Sequence, residues 1–322
     1  MPIDTDFRFA HQIAPTAGLA AVDLLGPLRG FVGNQHQRTW KGTGFNMIWR
    51  PNHGQSGPTD FFLELNLTNE TLDFTDITGT GIANRGFLQK DVALGGLAYL
   101  QQISDKIIGP QHFEPGVWAN VPLTTDPAEK QTVVRMGSIP HGTTINLQGV
   151  AFAAPKPQFD PASIVPFRIG SPDDGKTNLQ HFPGIEDHIA TPSPSRTPLS
   201  QVPGLTDQQL ANPNLFLSQA IAKQTILHTT VLVVTSDVKA PKSPPNAPPD
   251  APDAGGGADN IAFLTGTAHG PNADAARVTA IFWIERVRDE YGHEFDQLQY
   301  TQRVLLNFNG LSWPHVTVAT LR

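Results

Sequence analysis

An all-β fold, an antiparallel β-barrel or sandwich of about ten strands, is what the sequence predicts. Three observations carry that expectation. Apolar residues recur at every second position through most of the chain. The runs are punctuated by Gly, Pro and Asn, which supply turns. The regular strand–helix alternation of an α/β fold is missing.

Taken in order, the strand-like runs are residues 44–51, 61–74, 96–104, 116–122, 132–139 and 143–152. After a gap come 225–236, 260–268, 277–287, 296–309 and the terminal "SWPHVTVATL". Two stretches interrupt them. Residues 154–224 are rich in Pro and turn formers and end in "NPNLFLSQAIAKQ", where Asn212 as N-cap and Pro213 at the first position predict a helix. Residues 239–259, "KAPKSPPNAPPDAPDAGGGAD", have the composition of an extended loop. Both fall between strands, so they are expected to be insertions in a single domain spanning 1–322.

Composition narrows the chemistry. A chain of 322 residues can bury a sizeable core without staples, and 29 Gly with 29 Pro agrees with a folded body carrying long connections. The net charge of −7 argues against a nucleic-acid partner, because no basic stripe is available to neutralise phosphates. With no Cys, disulfides, thiolate catalysis and iron–sulfur clusters are excluded. The first residues lack the basic and apolar regions of a secretory signal, and no apolar run reaches the ~20 residues a membrane helix needs. A cytoplasmic protein with no membrane partner is the expectation. The "NLTNET" matches to a glycosylation acceptor carry little meaning in that setting.

The 11 His residues are the main chemical inventory. None forms an H-x-H or H-E-x-x-H pair, which leaves a zinc hydrolase poorly supported. Glu64, Glu70 and Asp73 share one strand-like hairpin and read most simply as exposed carboxylates. In the last run, Pro314 belongs at a strand start and biases Trp313 toward extended geometry. Alternation then puts His315, Thr317, Ala319 and Leu321 on one face and Val316, Val318 and Thr320 on the other. His315 is either a ligand-facing side chain at a barrel mouth or a solvated one opposite a Val-lined core.

Residues 38–51, "RTWKGTGFNMIWRP", together with the terminal His-containing run resemble the nitrobindin family of heme-binding, calycin-like barrels. Thr39, Trp40, Lys41, Gly42, Thr43 and Gly44 match the last six places of the family's G-x-W-x-G-x-G signature, while Arg38 stands where its first glycine belongs. "PLRG" at 27–30 is similar to the lead-in, with 31–38 inserted after it. "LAYLQQIS", "QHFEPGVW" and "SIPHGTTINLQG" then follow in the family's order, and "PHVTVATLR" is similar to its closing strand. The resemblance covers roughly 27–150 and 260–322, in a chain about twice the family's usual length.

The resemblance implies heme b as cofactor, with His315 as the iron ligand and an open sixth position for NO, peroxide or peroxynitrite. Peroxidase-like chemistry with an organic reductant or peroxynitrite isomerisation would follow. Thr39, Trp40 and Trp313 are expected at the heme. His112 and His141 are the candidate distal groups, His36 is a further loop histidine, and Arg29, Arg38 and Arg135 are candidate propionate partners. The alternative is a non-catalytic barrel holding an apolar molecule such as a lipid, with His315 incidental. A homo-oligomer is compatible with either.

Overall fold

The computed structural model describes residues 23–52, 59–79, 82–83, 90–126, 128–140, 142–160, 164–169, 188–189, 191–236, 260–262 and 274–322. Ten long strands form its wall: β1 (Gln37–Pro51), β2 (Phe61–Asp76), β3 (Ala93–Asp105), β4 (Gly109–Val121), β5 (Thr132–Ile139), β6 (Thr143–Ala154), β7 (Thr225–Thr235), β8 (Asp274–Arg288), β9 (Glu294–Phe308) and β10 (Leu311–Leu321). Each pairs antiparallel with the next in sequence, and β10 returns to β1 from Gly42↔Leu321 to Ile48↔His315. The result is a closed ten-strand up-and-down barrel, which leaves no wall strand with a free edge.

Two glycines of the "KGTG" stretch make that closure possible. A Cβ at Gly42 would fall 2.0 Å from the carbonyl oxygen of Thr320, and one at Gly44 would fall 2.5 Å from that of Val318. A side chain at either place would push β10 away from β1.

The barrel has two apolar bodies. The inner one fills one end of the bore with Trp40, Leu72, Phe74, Leu97, Trp118, Phe282 and Leu298. A short segment plugs it: the turn Gly26–Leu28 runs into α1 (Arg29–Val32), which buries Leu28, Phe31 and Val32. Phe31 stacks on Phe74 with centroids 4.3 Å apart and accepts a 2.8 Å hydrogen bond on its carbonyl from the Trp40 indole. The outer body lies between the outside of β10, β1 and β2 and residues of the 154–224 insertion, including Ile164, Val202, Leu210 and Leu217. Phe216 stacks on Phe45 at 4.8 Å, and the Trp49 indole donates to Ile164 O at 2.8 Å.

The insertion's helices differ from expectation. A capping box at Thr206, reciprocated by Gln209, starts α2 (Asp207–Ala211). Then α3 (Leu215–Ala220) begins after Asn214 rather than Asn212. The run expected at 260–268 contributes a two-residue strand, Ile261–Ala262, on β6, and its remainder lies outside the described residues. The 239–259 loop also lies outside them. Among the described residues, no helix is long and apolar enough to cross a membrane.

Candidate functional site

At the end of the bore away from α1, the interior is lined by polar side chains and holds a cavity of about 300 Å³. β1 runs from the plugged end at Trp40 to this cavity at Ile48 and Arg50, eight residues or more, which at ~3.3 Å per residue is most of the barrel's length. His315 and His112 both border it, with Asn46, Gln101, Tyr300 and Gln302 supplying polar atoms and Ile48, Ile103, Ile139, Val304 and Leu306 supplying aliphatic wall.

His315 settles the question that the last strand raised. β10 is buried on both faces, since Val316 and Val318 pack outward beneath the insertion while Ala319 and Leu321 join the inner core. Alternation therefore aims His315 and Thr317 into the bore, and His315 is 8% exposed. Its Nε2 lies 2.8 Å from Asn46 Oδ1, which also accepts from Thr317 Oγ1 at 3.0 Å. A carbonyl oxygen only accepts, so Nε2 is the donor in this contact.

Two buried carboxylates lie beneath the cavity, in contrasting surroundings. Glu114 on β4 receives the Arg135 guanidinium at 2.6 Å and the Tyr99 hydroxyl on the same oxygen, while His112 Nε2 stands 3.5 Å from the other. Burial pushes the Glu114 carboxyl up, but the Arg135 charge and the hydrogen bonds outweigh it and bring it down to about 2. Arg135 also donates to Tyr99 at 3.1 Å and to Gln302 of the cavity wall at 2.7 Å, and it lies near the faces of Tyr99, Trp118 and Phe282. Gly137 makes room, because a Cβ there would meet the Tyr99 hydroxyl at 2.3 Å.

Glu70 on β2 has no guanidinium partner in this network. It accepts from Tyr300 and, at 2.8 Å, from Thr68, while Gln101 donates to the Tyr300 hydroxyl at 2.8 Å. Burial dominates and pushes the Glu70 carboxyl up to about 7, against the lowering effect of the Tyr300 and Thr68 hydrogen bonds. A Cβ at Gly44 would lie 2.6 Å from Glu70 Oε1, so the second signature glycine also accommodates this acid.

Of the residues singled out from sequence, His315 and His112 come together at the cavity. His141 lies outside the described residues. Trp40 belongs to the plugged end, and Thr39 bonds Asp73 on the outer face rather than lining the bore. Trp313 stacks on Phe308 at 4.5 Å and packs against Trp49 and Phe61 in the outer body. None of these three is among the residues around the cavity. His36 is exposed next to the plug. Arg29 pairs with Asp23, Arg38 with Asp296 and Arg135 with Glu114, while the cation on the cavity wall is Arg50, held 2.7 Å from Glu64. Glu64 and Glu70 face inward, so the reading of exposed carboxylates fails for both.

No protein-family model matches the chain, and no curated protein matches it either. Among solved structures, it is similar to the crystal structure of Rv2717c from M. tuberculosis, at 11% identity and a TM-score of 0.36, over 94% of this chain and 99% of that one.

Proposed function

We propose that the chain is a heme-binding β-barrel protein of nitrobindin type, with His315 as the iron ligand. The observation that carries this reading is a buried imidazole on a cavity wall whose ring proton is engaged by Asn46. A metal-ligating histidine needs such an acceptor to fix its tautomer and orientation. The remaining wall offers five aliphatic side chains for the macrocycle, and its cation, Arg50, is paired with Glu64 at 2.7 Å. At about 300 Å³ the cavity sits at the low end of the ~300–1,000 Å³ usual for small-molecule sites.

Heme, if bound, would supply a Lewis-acidic, redox-active iron for NO, peroxide or peroxynitrite. The chain's residues do the rest. Asn46 would orient His315, the aliphatic wall would pack against the ligand, and His112, 3.5 Å from Glu114, would handle protons. Titration of the purified chain with hemin tests the reading: a Soret band saturating at one equivalent supports it, and the unchanged spectrum of free hemin overturns it.

The same aliphatic wall favours a second reading, a barrel that holds an apolar molecule such as a lipid.

A further inference from the structure

We infer that Tyr300 and Glu70 form a proton relay for the cavity, in which Tyr300 is the group that touches the bound molecule and Glu70 is the proton store behind it. The inference deepens the proposed function and rests on the cavity being the site.

The wiring fixes the direction of each hydrogen bond. Tyr300 lines the cavity, and its hydroxyl oxygen accepts from the Gln101 amide at 2.8 Å. An amide N–H only donates, so the tyrosine proton points elsewhere, and with Glu70 ionised it points to that carboxylate. A protonated Glu70 reverses the link. Its O–H then donates to the second lone pair of the Tyr300 oxygen, and the tyrosine proton is released toward the cavity. Transfer proceeds in one concerted shift: Tyr300 gives its proton to a basic oxygen of the bound molecule, and Glu70 gives its own to the Tyr300 oxygen. The phenol is restored, the carboxylic acid becomes a carboxylate, and water reprotonates it. Reprotonation runs back through Tyr300, which lines the cavity and is bonded to Glu70.

The surroundings suit a store near neutrality. Around the pair stand His112 and Glu114 on β4 and Arg135 on β5, while β3 offers the neutral Gln101 and Ile103 and β1 offers Gly44. Arg135 is committed to Glu114, so Glu70 keeps a carboxyl pushed up to about 7 by burial, where a donor and acceptor of protons works best. The ligand class this implies is a small oxygen compound that becomes basic as it reacts, a peroxide being the type.

The test has two arms. In the heme-free chain carrying ¹³C-labelled Glu and Tyr side chains, the Glu70 carboxyl should titrate near neutral pH and the Tyr300 ring carbon bearing oxygen should follow with the same midpoint. Glu70→Gln should remove both transitions. A Glu70 signal that stays ionised from mildly acidic to alkaline pH, or a Tyr300 signal that ignores it, overturns the relay whether or not hemin binds. In the hemin-loaded chain, Glu70→Gln and Tyr300→Phe should slow reaction with hydrogen peroxide on the order of 100-fold and flatten its pH profile. Wild-type rates and pH profile in both variants would also overturn it. Failure of hemin to bind would instead overturn the heme reading and leave the first arm decisive for the relay.

Discussion

His315 Nε2 and Asn46 Oδ1 meet at 2.8 Å across the seam where the last strand closes onto the first. The contact ties the candidate ligand to barrel closure, since Asn46 is paired with Thr317 in that register and accepts from its hydroxyl too. Asn46→Ala should therefore strand two donors at once. A loss of about 1–3 kcal/mol in urea denaturation is expected, with hemin affinity falling about 10–100-fold. Unchanged affinity in the folded variant would show that Asn46 does not orient the ligand.

Gly44 joins the seam to the acid store. Gly44→Ala places a methyl 2.5 Å from Val318 O and 2.6 Å from Glu70 Oε1, and the neighbouring strand backbone has little room to yield. Overpacking of this kind costs about 1–3 kcal/mol, read as a lower denaturation midpoint at constant m-value. A wild-type midpoint would contradict the close approach.

The Glu114–Arg135 pair should be sensitive to losing one member and tolerant of losing both. Arg135→Met leaves a buried carboxylate uncompensated and is expected to cost about 3–5 kcal/mol. Adding Glu114→Gln should recover part of that loss. If the double variant is as unstable as the sum of the singles, the two residues are not coupled.

Stability should fall between mildly acidic and neutral pH. Burial raises Glu70 from 4.5 to about 7 and, on the outer face, raises Glu285 likewise, partly offset by the Gln297 hydrogen bond. A carboxyl raised on folding binds more protons folded than unfolded between those values. Its contribution is complete below the unfolded value and is lost as pH rises through the folded one. Glu114, lowered to about 2, does the opposite and is lost only as pH drops below 4.5. The denaturation free energy should thus decline on the order of 1 kcal/mol per pH unit across that window. Glu70→Gln with Glu285→Gln should flatten the slope, and a slope preserved in that double variant would rule these two acids out as its source.

The ten wall strands were legible because alternation and turn residues mark them directly, as in 132–139, where the run and β5 coincide. The site was harder to see, and β2 explains why. Its apolar residues occupy odd positions at Leu63 and Leu65 but even ones at Leu72 and Phe74. The strand does not slip: the odd positions pack outward under the insertion, and the even ones pack inward at the plugged end. Between them Glu64, Thr68 and Glu70 take the inward positions, so the change of phase marks where the bore turns from core to cavity. β1 repeats the pattern, with Trp40 inward, Phe45, Met47 and Trp49 outward, and Asn46, Ile48 and Arg50 facing the cavity.

That phase change is readable in a sequence only when both faces of the barrel are known to be covered. Trp313 misled for the same reason, because its aromatic partners Phe308, Trp49 and Phe61 are brought together by the outer body rather than the bore. Tyr300 and Gln101 carried no local signal, since they meet from strands remote in sequence.

The most direct test of the central claim is the absorption spectrum of the hemin-loaded chain with His315→Ala, compared with wild type and His112→Ala. A Soret band is expected at one equivalent in wild type and His112→Ala, with its loss in His315→Ala and its return when free imidazole is added to that variant. An unaltered band in His315→Ala would contradict it.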